Sequence, residues 1–596
     1  MPSSAVAGHA PEKTGALGSA AMQDTPLTAA FLVPSGRPEP GIELPSGGDQ
    51  AIAGRHGLVT SVEAQATRVG VRILEQGGNA VDAAVATAYA LSVTHPSAAS
   101  LGGGGFMLVS QGRRVTAIDF REDAPRKLPR ARFAAMIHKR GLGPDAVGIP
   151  GTVAGLELAH ERHGRLARRT VMEPAIQLAS EGYRLSPRQH LSLSWKWHEL
   201  RKNPEFARRF GNSRGVRPRP AGSKLVRPEL ARTLMAIAEG GSDGFYRGEL
   251  GRRLLADLGP DSLITSEDLS RYRAKLREPL VVDYRGLKVV TMPPPSAGGI
   301  ALTQTLLMLE KQKAHEHARA SVAALHLLIE AAKRAHAERR FHVVDPDTLS
   351  LSERQRRWQR WLDPTSLVAG KPIDLLQATP ARSIHPLFDG PEESEETTHF
   401  SVVDAEGMAV SCTITLSAAF GAQLLSPSTG VILNNAVASF STAGENQPIG
   451  ARRTTSSMAP TLVYHGEALA LVLGSPGGDT IPNTVTQVLR NVVDYGMTID
   501  QAVSAPRIHH GFIPDEVRFE RERPISAQTR ARLARLGHRF SKKRHAIGDA
   551  NNLLLVNGTA FAVADPREGG LALAAKPGPG AVLSAASQAH PQTTRR

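Results

Sequence analysis

Two threonines open an apolar, alternating stretch directly behind an acidic run in EESEETTHFSVVD, residues 392–404. A hydroxyl is a poor nucleophile unless a base stands beside it, and a threonine at a new N-terminus carries its own base in the α-amine. That amine is less basic than the amine of lysine, so more of it is unprotonated near neutral pH. The pattern therefore predicts cleavage between Glu396 and Thr397, although Thr-Thr also opens many ordinary strands.

A β-hairpin is predicted to position that threonine. Residues 399–417, HFSVVDAEGMAVSCTITLS, form two alternating runs joined at Asp404-Ala405-Glu406-Gly407, which is a strong hairpin signal. Antiparallel pairing about this turn brings Thr415 to within about one position of Thr397 across the ladder.

Elements in both halves of the chain indicate sheets covered by helices. Thr60 and Glu63 predict a capping box for a first helix, and Asn79 is predicted to cap the alanine-rich helix that follows it. Residues 468–493, ALALVLGSPGGDTIPNTVTQVLRNVV, predict a strand, a glycine turn and a helix. This arrangement favours a layered α/β/β/α sandwich.

Composition excludes several classes of site. The single cysteine, Cys412, excludes an intramolecular disulfide and a cysteine-rich zinc site, and the histidines lack the spacing of metal ligands. No metal and no cofactor are predicted. The net charge of +15 comes mostly from dispersed arginines, densest in residues 201–220 and 353–361. Because no nucleic-acid module accompanies them, they predict a basic solvated surface without a nucleic-acid or membrane partner.

The two termini read as flexible segments. Residues 1–56 are predicted to form a leader and residues 580–596 a frayed tail. No apolar stretch approaches the length of a transmembrane helix, and no signal peptide is evident, which slightly favours a cytoplasmic location over an exported one.

Residues 397–421, TTHFSVVDAEGMAVSCTITLSAAFG, resemble the nucleophile region of the γ-glutamyltranspeptidase family. Motifs similar to those of the family also occur elsewhere, in family order, including AIDFREDAP (117–125), SSMAPTLV (456–463), GSPGG (474–478) and APRIHH (505–510). The resemblance implies a four-layer N-terminal nucleophile hydrolase made from two chains of one precursor. Self-cleavage would separate a large subunit, 57–396, from a small one, 397–579, and the two would stay together as a heterodimer.

Site residues are carried over position by position. Thr397 matches the family nucleophile and Thr415 the threonine that orients it, while Arg121 matches the arginine that holds the α-carboxylate of the substrate. A planar guanidinium fork suits a carboxylate better than lysine would. The residues that match the rest of the site are the serine pair of the carboxylate pocket and the glycine pair of the oxyanion hole: Ser456, Ser457, Gly477 and Gly478.

Three positions depart from the family pattern. Ser417 stands where asparagine is usual, and Ala436 and Ser439 stand where an amide or acid and an aspartate normally grip the α-ammonium of glutamate. Loss of these acceptors leaves a charged ammonium poorly satisfied. Two enzymatic functions therefore stay open. One is cleavage of a γ-glutamyl amide of the glutathione type; the other is hydrolysis of a carboxylate-bearing acyl group without the amine. The latter would be the chemistry of a cephalosporin acylase, an amidohydrolase or a carbon–carbon hydrolase. Retention of the catalytic residues disfavours a third reading, a partner-binding relative without activity.

Overall fold

The computed structural model describes residues 30–39, 42–45, 47–139, 141–363, 372–386, 396–441, 444–543 and 546–577. Its strands are β1 Phe31–Leu32, β2 Ile52–Gly54, β3 Gly57–Ser61, β4 Gly104–Gln111, β5 Arg114–Phe120, β6 Tyr183–Arg184, β7 Lys224–Leu225, β8 Lys275–Arg277, β9 Leu280–Tyr284, β10 Leu287–Thr291, β11 Thr397–Asp404, β12 Ala409–Thr415, β13 Thr461–His465, β14 Ala468–Leu473, β15 Ile508–His509, β16 Arg518–Phe519, β17 Asn552–Val556, β18 Thr559–Val563 and β19 Leu571–Ala574.

The α-helices are α1 Ala64–Glu75, α2 Ala80–Thr94, α3 Arg130–His138, α4 Thr152–His163, α5 Arg168–Ser180, α6 Pro187–Leu200, α7 Pro204–Phe210, α8 Pro228–Tyr246, α9 Glu249–Leu258, α10 Ser266–Arg271, α11 Ala297–Lys311, α12 Val322–His342, α13 Leu351–Leu362, α14 Ala381–Ile384, α15 Ile481–Val493, α16 Ile499–Ser504 and α17 Ala527–Arg535.

Two antiparallel sheets form the centre of the molecule. The first has the strand order β1-β5-β4-β12-β11-β3-β19, with β8 also paired to β5, and the second has the order β2-β18-β17-β14-β13-β10-β9. Successive residues of β4 alternate between two cores: Met107 and Val109 face the helices α1 and α2, whereas Phe106 and Leu108 face the second sheet. The far side of the second sheet is covered by α11, α15 and α16. The predicted four-layer α/β/β/α sandwich is therefore confirmed.

The predicted hairpin is also confirmed, with Thr397 directly opposite Thr415. Both of its strands are buried along their whole length because they lie in the middle of the first sheet, between β3 and β4. Asn79 caps α2 as predicted, and Asp82 completes a capping box. The box predicted at Thr60 is wrong, since Thr60 belongs to β3 and α1 begins after Glu63 without a side-chain cap.

The predicted leader requires a correction at its C-terminal end. Residues 31–32 pair with β5 and residues 52–54 pair with β18, so this part of the chain adds an edge strand to each sheet. Two or three residues are too few to show an alternating pattern, which is why the sequence did not reveal these strands. Residues 1–29 and the predicted tail, 580–596, lie outside the described residues. Within the described ranges, no helix is both long and apolar enough to cross a bilayer.

Candidate active site

The Thr415 hydroxyl contacts both sides of the bond between Glu396 and Thr397. It donates a hydrogen bond to the Glu396 carbonyl oxygen at 2.9 Å, and its Oγ1 lies 3.3 Å from Thr397 Oγ1. A hydroxyl has one proton to donate, so the Thr397 hydroxyl must donate to Thr415 rather than accept from it. The backbone N–H of Ser417 donates to the same oxygen at 2.9 Å. The hydrogen-bonding capacity of the Thr415 hydroxyl is therefore fully used, and the proton that it donates polarises the Glu396 carbonyl.

His399 lies two residues after the candidate nucleophile and is buried. Its Nε2 lies 3.0 Å from Ser401 Oγ, which itself donates to the Asn551 carbonyl, and its Nδ1 lies 2.9 Å from Thr413 Oγ1. These partners place the ring proton on Nε2 and use the Nδ1 lone pair. Burial lowers the pKa of His399 to about 3, and Thr413 occupies its Nδ1 lone pair, so the ring is poorly suited to be the base for Thr397.

His399 instead spaces the first sheet from the glycine loop. A Cβ added to Gly474, the first residue of GSPGG, would lie only 2.2 Å from the His399 ring. Only a glycine allows this approach. The imidazole therefore fixes where the loop leaves β14 relative to the strand that carries Thr397.

The glycine pair forms the turn between β14 and α15. Gly477 and Gly478 have φ of 124° and 54°, a region that side chains rarely adopt, and Gly478 begins a 3₁₀ turn that leads into α15. The Gly477 carbonyl is held by the backbone N–H of Thr480 at 3.0 Å and by its hydroxyl at 2.8 Å. A turn held in this way can present unencumbered backbone N–H donors to an oxyanion.

A buried cluster of charged and polar side chains holds the start of that turn in place. Asp479, the residue after the glycine pair, forms an ion pair with Arg518, and its carboxylate lies 3.3 Å from His509 Nε2. Asn483 Nδ2 lies 2.8 Å from the other ring nitrogen of His509. Burial alone would raise the pKa of Asp479, but His509 and Arg518 together lower it well below its usual value. The charged carboxylate anchors the start of the 3₁₀ turn.

Arg121 lies just beyond β5, and its side chain is buried. Its Nη1 forms an ion pair with Glu122 at 2.6 Å, whereas its Nη2 makes only long contacts, 3.4 Å to Ser417 Oγ and 3.3 Å to Ser439 Oγ. The carbonyls of residues 454–455 accept from the guanidinium at 3.4 and 3.5 Å. Burial raises the pKa of Glu122, while the adjacent guanidinium opposes this.

The serine pair continues directly from the carbonyls that contact Arg121. The backbone N–H of Ser456 donates to Pro295 O at 3.1 Å, and its Oγ accepts from the N–H of Met458 at 3.2 Å. The Ser457 hydroxyl accepts a hydrogen bond from Arg339 Nη1, which reaches it from α12. This hydrogen bond fixes the position of the Ser457 oxygen relative to α12.

The positions expected to hold an ammonium group provide few hydrogen-bond acceptors for a cation. Ala436 is fully buried and contributes a methyl group, and Ser439 ends the same short 3₁₀ turn with its hydroxyl on Arg121. The preceding amides are used by the backbone: Asn434 bonds to Gly102 and Gly148, and Asn435 Oδ1 accepts from the Ala418 N–H.

The structure brings most of the predicted site residues into two connected groups. Ser417 links them, because its N–H bonds to Thr415 beside the nucleophile and its hydroxyl lies on Arg121 in the pocket. Sequence reasoning missed Arg339 and Asp479 as supports of the site. Asp479 directly follows the GSPGG motif. Arg339 lies 118 residues from Ser457 along the chain, and no local sequence pattern indicates that the two side chains meet. Among the described residues, no group of His, Cys, Asp and Glu side chains could hold a metal ion.

The chain is similar to known proteins over most of its length. The profile of the family described as gamma-glutamyltranspeptidase matches residues 66–575. The glutathione hydrolase proenzyme of Escherichia coli (strain K12) is 38% identical over 541 residues, 87% of this chain and 91% of that protein. Acylase ACY 1 proenzyme of Pseudomonas sp. (strain SE83) is 32% identical over 516 residues, covering 84% and 90%. Cephalosporin acylase from Bacillus halodurans superimposes with a TM-score of 0.78 over 90% of this chain and 99% of its own. At 24% identity it supports the fold alone.

Proposed function

The chain belongs to the γ-glutamyltranspeptidase family of hydrolases and transferases, and on that premise we propose that it processes itself and then cleaves a glutathione-type γ-glutamyl amide. The observation that carries the proposal is the pair of contacts by which Thr415 reaches both the Glu396 carbonyl and the Thr397 hydroxyl. Thr397 is the nucleophile in both reactions.

Self-processing begins with attack of Thr397 Oγ1 on the Glu396 carbonyl carbon. The new C–O bond replaces the peptide C–N bond, and the hydroxyl proton ends on the departing nitrogen. The Glu396 acyl group thereby moves to the hydroxyl oxygen, and the α-amine of Thr397 becomes free. Water then hydrolyses this ester, which leaves the Glu396 carboxylate and a free N-terminal threonine. The hydrogen bond from Thr415 stabilises the negative charge that develops on the Glu396 oxygen.

The processed enzyme repeats this chemistry on its substrate. The free α-amine takes the proton of Thr397 Oγ1 as that oxygen attacks the γ-carbonyl, and the N–H groups of Gly477 and Gly478 receive the oxyanion. The leaving amine departs with the proton, and an acyl-enzyme ester remains. Water or an amine then resolves the ester by the reverse sequence.

Arg121 is proposed to bind the substrate carboxylate through its Nη2 side, because the Nη1 side is held by Glu122. The Ser456 and Ser457 hydroxyls lie on the segment whose preceding carbonyls already contact this guanidinium. A buried cation flanked by hydroxyl donors is suited to a carboxylate.

A second candidate function is hydrolysis of a des-amino acyl group of the glutaryl type. It is favoured by the contact of the Ser417 and Ser439 hydroxyls with Arg121, since hydroxyls that face a guanidinium are not arranged to accept from an ammonium. Ala436 adds no acceptor. One relative that matches most of this chain is named as an acylase proenzyme.

Two anilide substrates distinguish the candidates: γ-glutamyl anilide and its glutaryl analogue, which lacks only the amine. If the ammonium is poorly held, the glutaryl compound is turned over at least as fast as the γ-glutamyl compound. The variant Ala436→Gln/Ser439→Asp supplies two acceptors and should shift the ratio of kcat/KM values toward γ-glutamyl. A strong wild-type preference for γ-glutamyl, abolished by removal of the amine, would establish the first candidate and exclude the second.

A further inference from the structure

We propose that one face of the protein binds the surface of an anionic phospholipid bilayer. The face consists of α6 and the loop of residues 211–219, and we call it the α6 face. Residues 184–227 contain twelve Lys or Arg and two Glu, a net charge of +10 within a chain whose total is +15. The sequence predicted an ordinary solvated surface here. The exposed apolar groups among these charges indicate a different role.

The loop is fastened to the helix, so the α6 face is a preformed surface. Trp197 Nε1 donates to the Val216 carbonyl at 2.8 Å, and His190 Nδ1 lies 2.8 Å from the Arg219 carbonyl. Within the loop, Asn212 Oδ1 accepts from the N–H of Val216 at 3.1 Å. These contacts hold the backbone of the loop against the helix, so less entropy is lost when the surface binds a partner.

Three large apolar side chains project from this surface. Leu191 and Trp195 lie one helical turn apart with 69% and 67% of their surface exposed, and Val216 is 54% exposed. Lys196 Nζ lies 4.7 Å from the centre of the Trp195 ring. Tryptophan beside lysine is typical of side chains at the boundary between headgroups and acyl chains. Leucine and valine gain from burial only in an apolar phase, which a bilayer provides and a nucleic acid does not.

The cations around these side chains are available to anionic lipid. Many arginines of this protein are engaged by carboxylates, as Arg209 is by Glu229. In contrast, six cations of the segment have neither an ion pair nor a side-chain hydrogen bond within the described part of the chain: Lys196, Arg201, Lys202, Arg214, Arg217 and Lys224. Each lysine or arginine near an anionic membrane strengthens binding by about fivefold.

The test is co-sedimentation of the full chain with vesicles of phosphatidylcholine alone or with phosphatidylserine added. We expect binding only to the anionic vesicles, weakened by salt. Lys196→Gln/Arg201→Gln/Lys202→Gln should reduce the partition coefficient by about a hundredfold. Leu191→Ser/Trp195→Ser should reduce it by about tenfold or more, because the apolar contribution is lost. A matched control, Leu376→Ser/Arg532→Gln, removes an exposed leucine and an exposed arginine elsewhere and should bind like wild type.

Each alternative outcome would overturn the proposal. Absence of binding to anionic vesicles excludes a bilayer as the partner. If the control variant reduces vesicle binding as much as the α6 variants do, the binding is general adhesion of a basic protein. A duplex oligonucleotide tests the remaining partner. Suppose that the duplex binds more tightly than the vesicles, through the three cations and without Leu191 and Trp195. In that case the α6 face recognises a polyanion that has no apolar phase. Turnover of the anilide substrates in solution should be unchanged in all α6 variants, which verifies their fold.

Discussion

Thr415→Val removes the hydroxyl that contacts both sides of the scissile bond while keeping the volume of the side chain. The lost interactions are the donation to Glu396 O at 2.9 Å and the acceptance from Thr397. Removal of one donor to a developing oxyanion costs about 2.7–4 kcal/mol, which predicts self-cleavage slowed by about 100- to 1,000-fold. The Ser417 N–H also loses its acceptor, a cost in stability of about 1–3 kcal/mol. A domain with ordinary stability survives that loss, so the variant should fold as an uncut chain.

The assay is the time course of fragment appearance on a denaturing gel, starting from freshly synthesised precursor. Wild type should yield chains of 396 and 200 residues, and the smaller one should begin TTHFSVVD. Thr413→Val is the matched control, because Thr413 loses a comparable buried hydrogen bond to His399 without touching Glu396. Wild-type cleavage by Thr415→Val would refute the proposed role. Equal slowing in both variants would assign the effect to hairpin stability.

Two further variants examine the pocket. Arg121→Lys should process normally but lose about 10- to 100-fold in kcat/KM, since one charge-assisted hydrogen bond is worth about 1.5–3 kcal/mol. An unchanged kcat/KM would contradict the binding of the substrate carboxylate by Arg121. An equal loss with a substrate whose carboxylate is esterified would contradict it too. Arg339→Met should raise KM by roughly tenfold with kcat kept, because the Ser457 hydroxyl then loses the donor that positions it. A fall in kcat alone would show that Arg339 acts on the chemical step instead.

Local pattern was sufficient to predict the strands and turns around the nucleophile. The alternation on either side of the turn at Asp404 to Gly407 predicted Thr415 within about one position of Thr397, and the structure sets the two directly opposite each other. Motif resemblance suggested the distant residues that we propose for the pocket. Long-range contacts between polar side chains could not be predicted, because nothing in the spacing of Arg339 indicates that it reaches Ser457. Edge strands of two residues were missed for a different reason, since they are too short to carry a period.

The geometry of Ser417 adds a physical argument about substrate choice. Its φ is 75°, in the left-handed region, where a side chain other than asparagine or glycine costs about 1–2 kcal/mol. The asparagine that family members usually carry here would relieve part of that strain. Serine is therefore the less favourable residue for the backbone. Its hydroxyl oxygen lies 3.4 Å from Arg121 Nη2, the guanidinium nitrogen that makes only long contacts.

Ser417→Asn is consequently expected to raise the melting temperature of the processed enzyme slightly and to supply an amide oxygen near the substrate amine. Relative turnover of γ-glutamyl over glutaryl anilide should rise, because a charged ammonium then gains one of its missing acceptors. If stability rises and the ratio of kcat/KM values does not move, Ser417 affects only the backbone. The ammonium would then have to be held by a different group, and Glu122 is the strongest candidate, because its Oε1 is buried without a hydrogen-bond partner among the described residues.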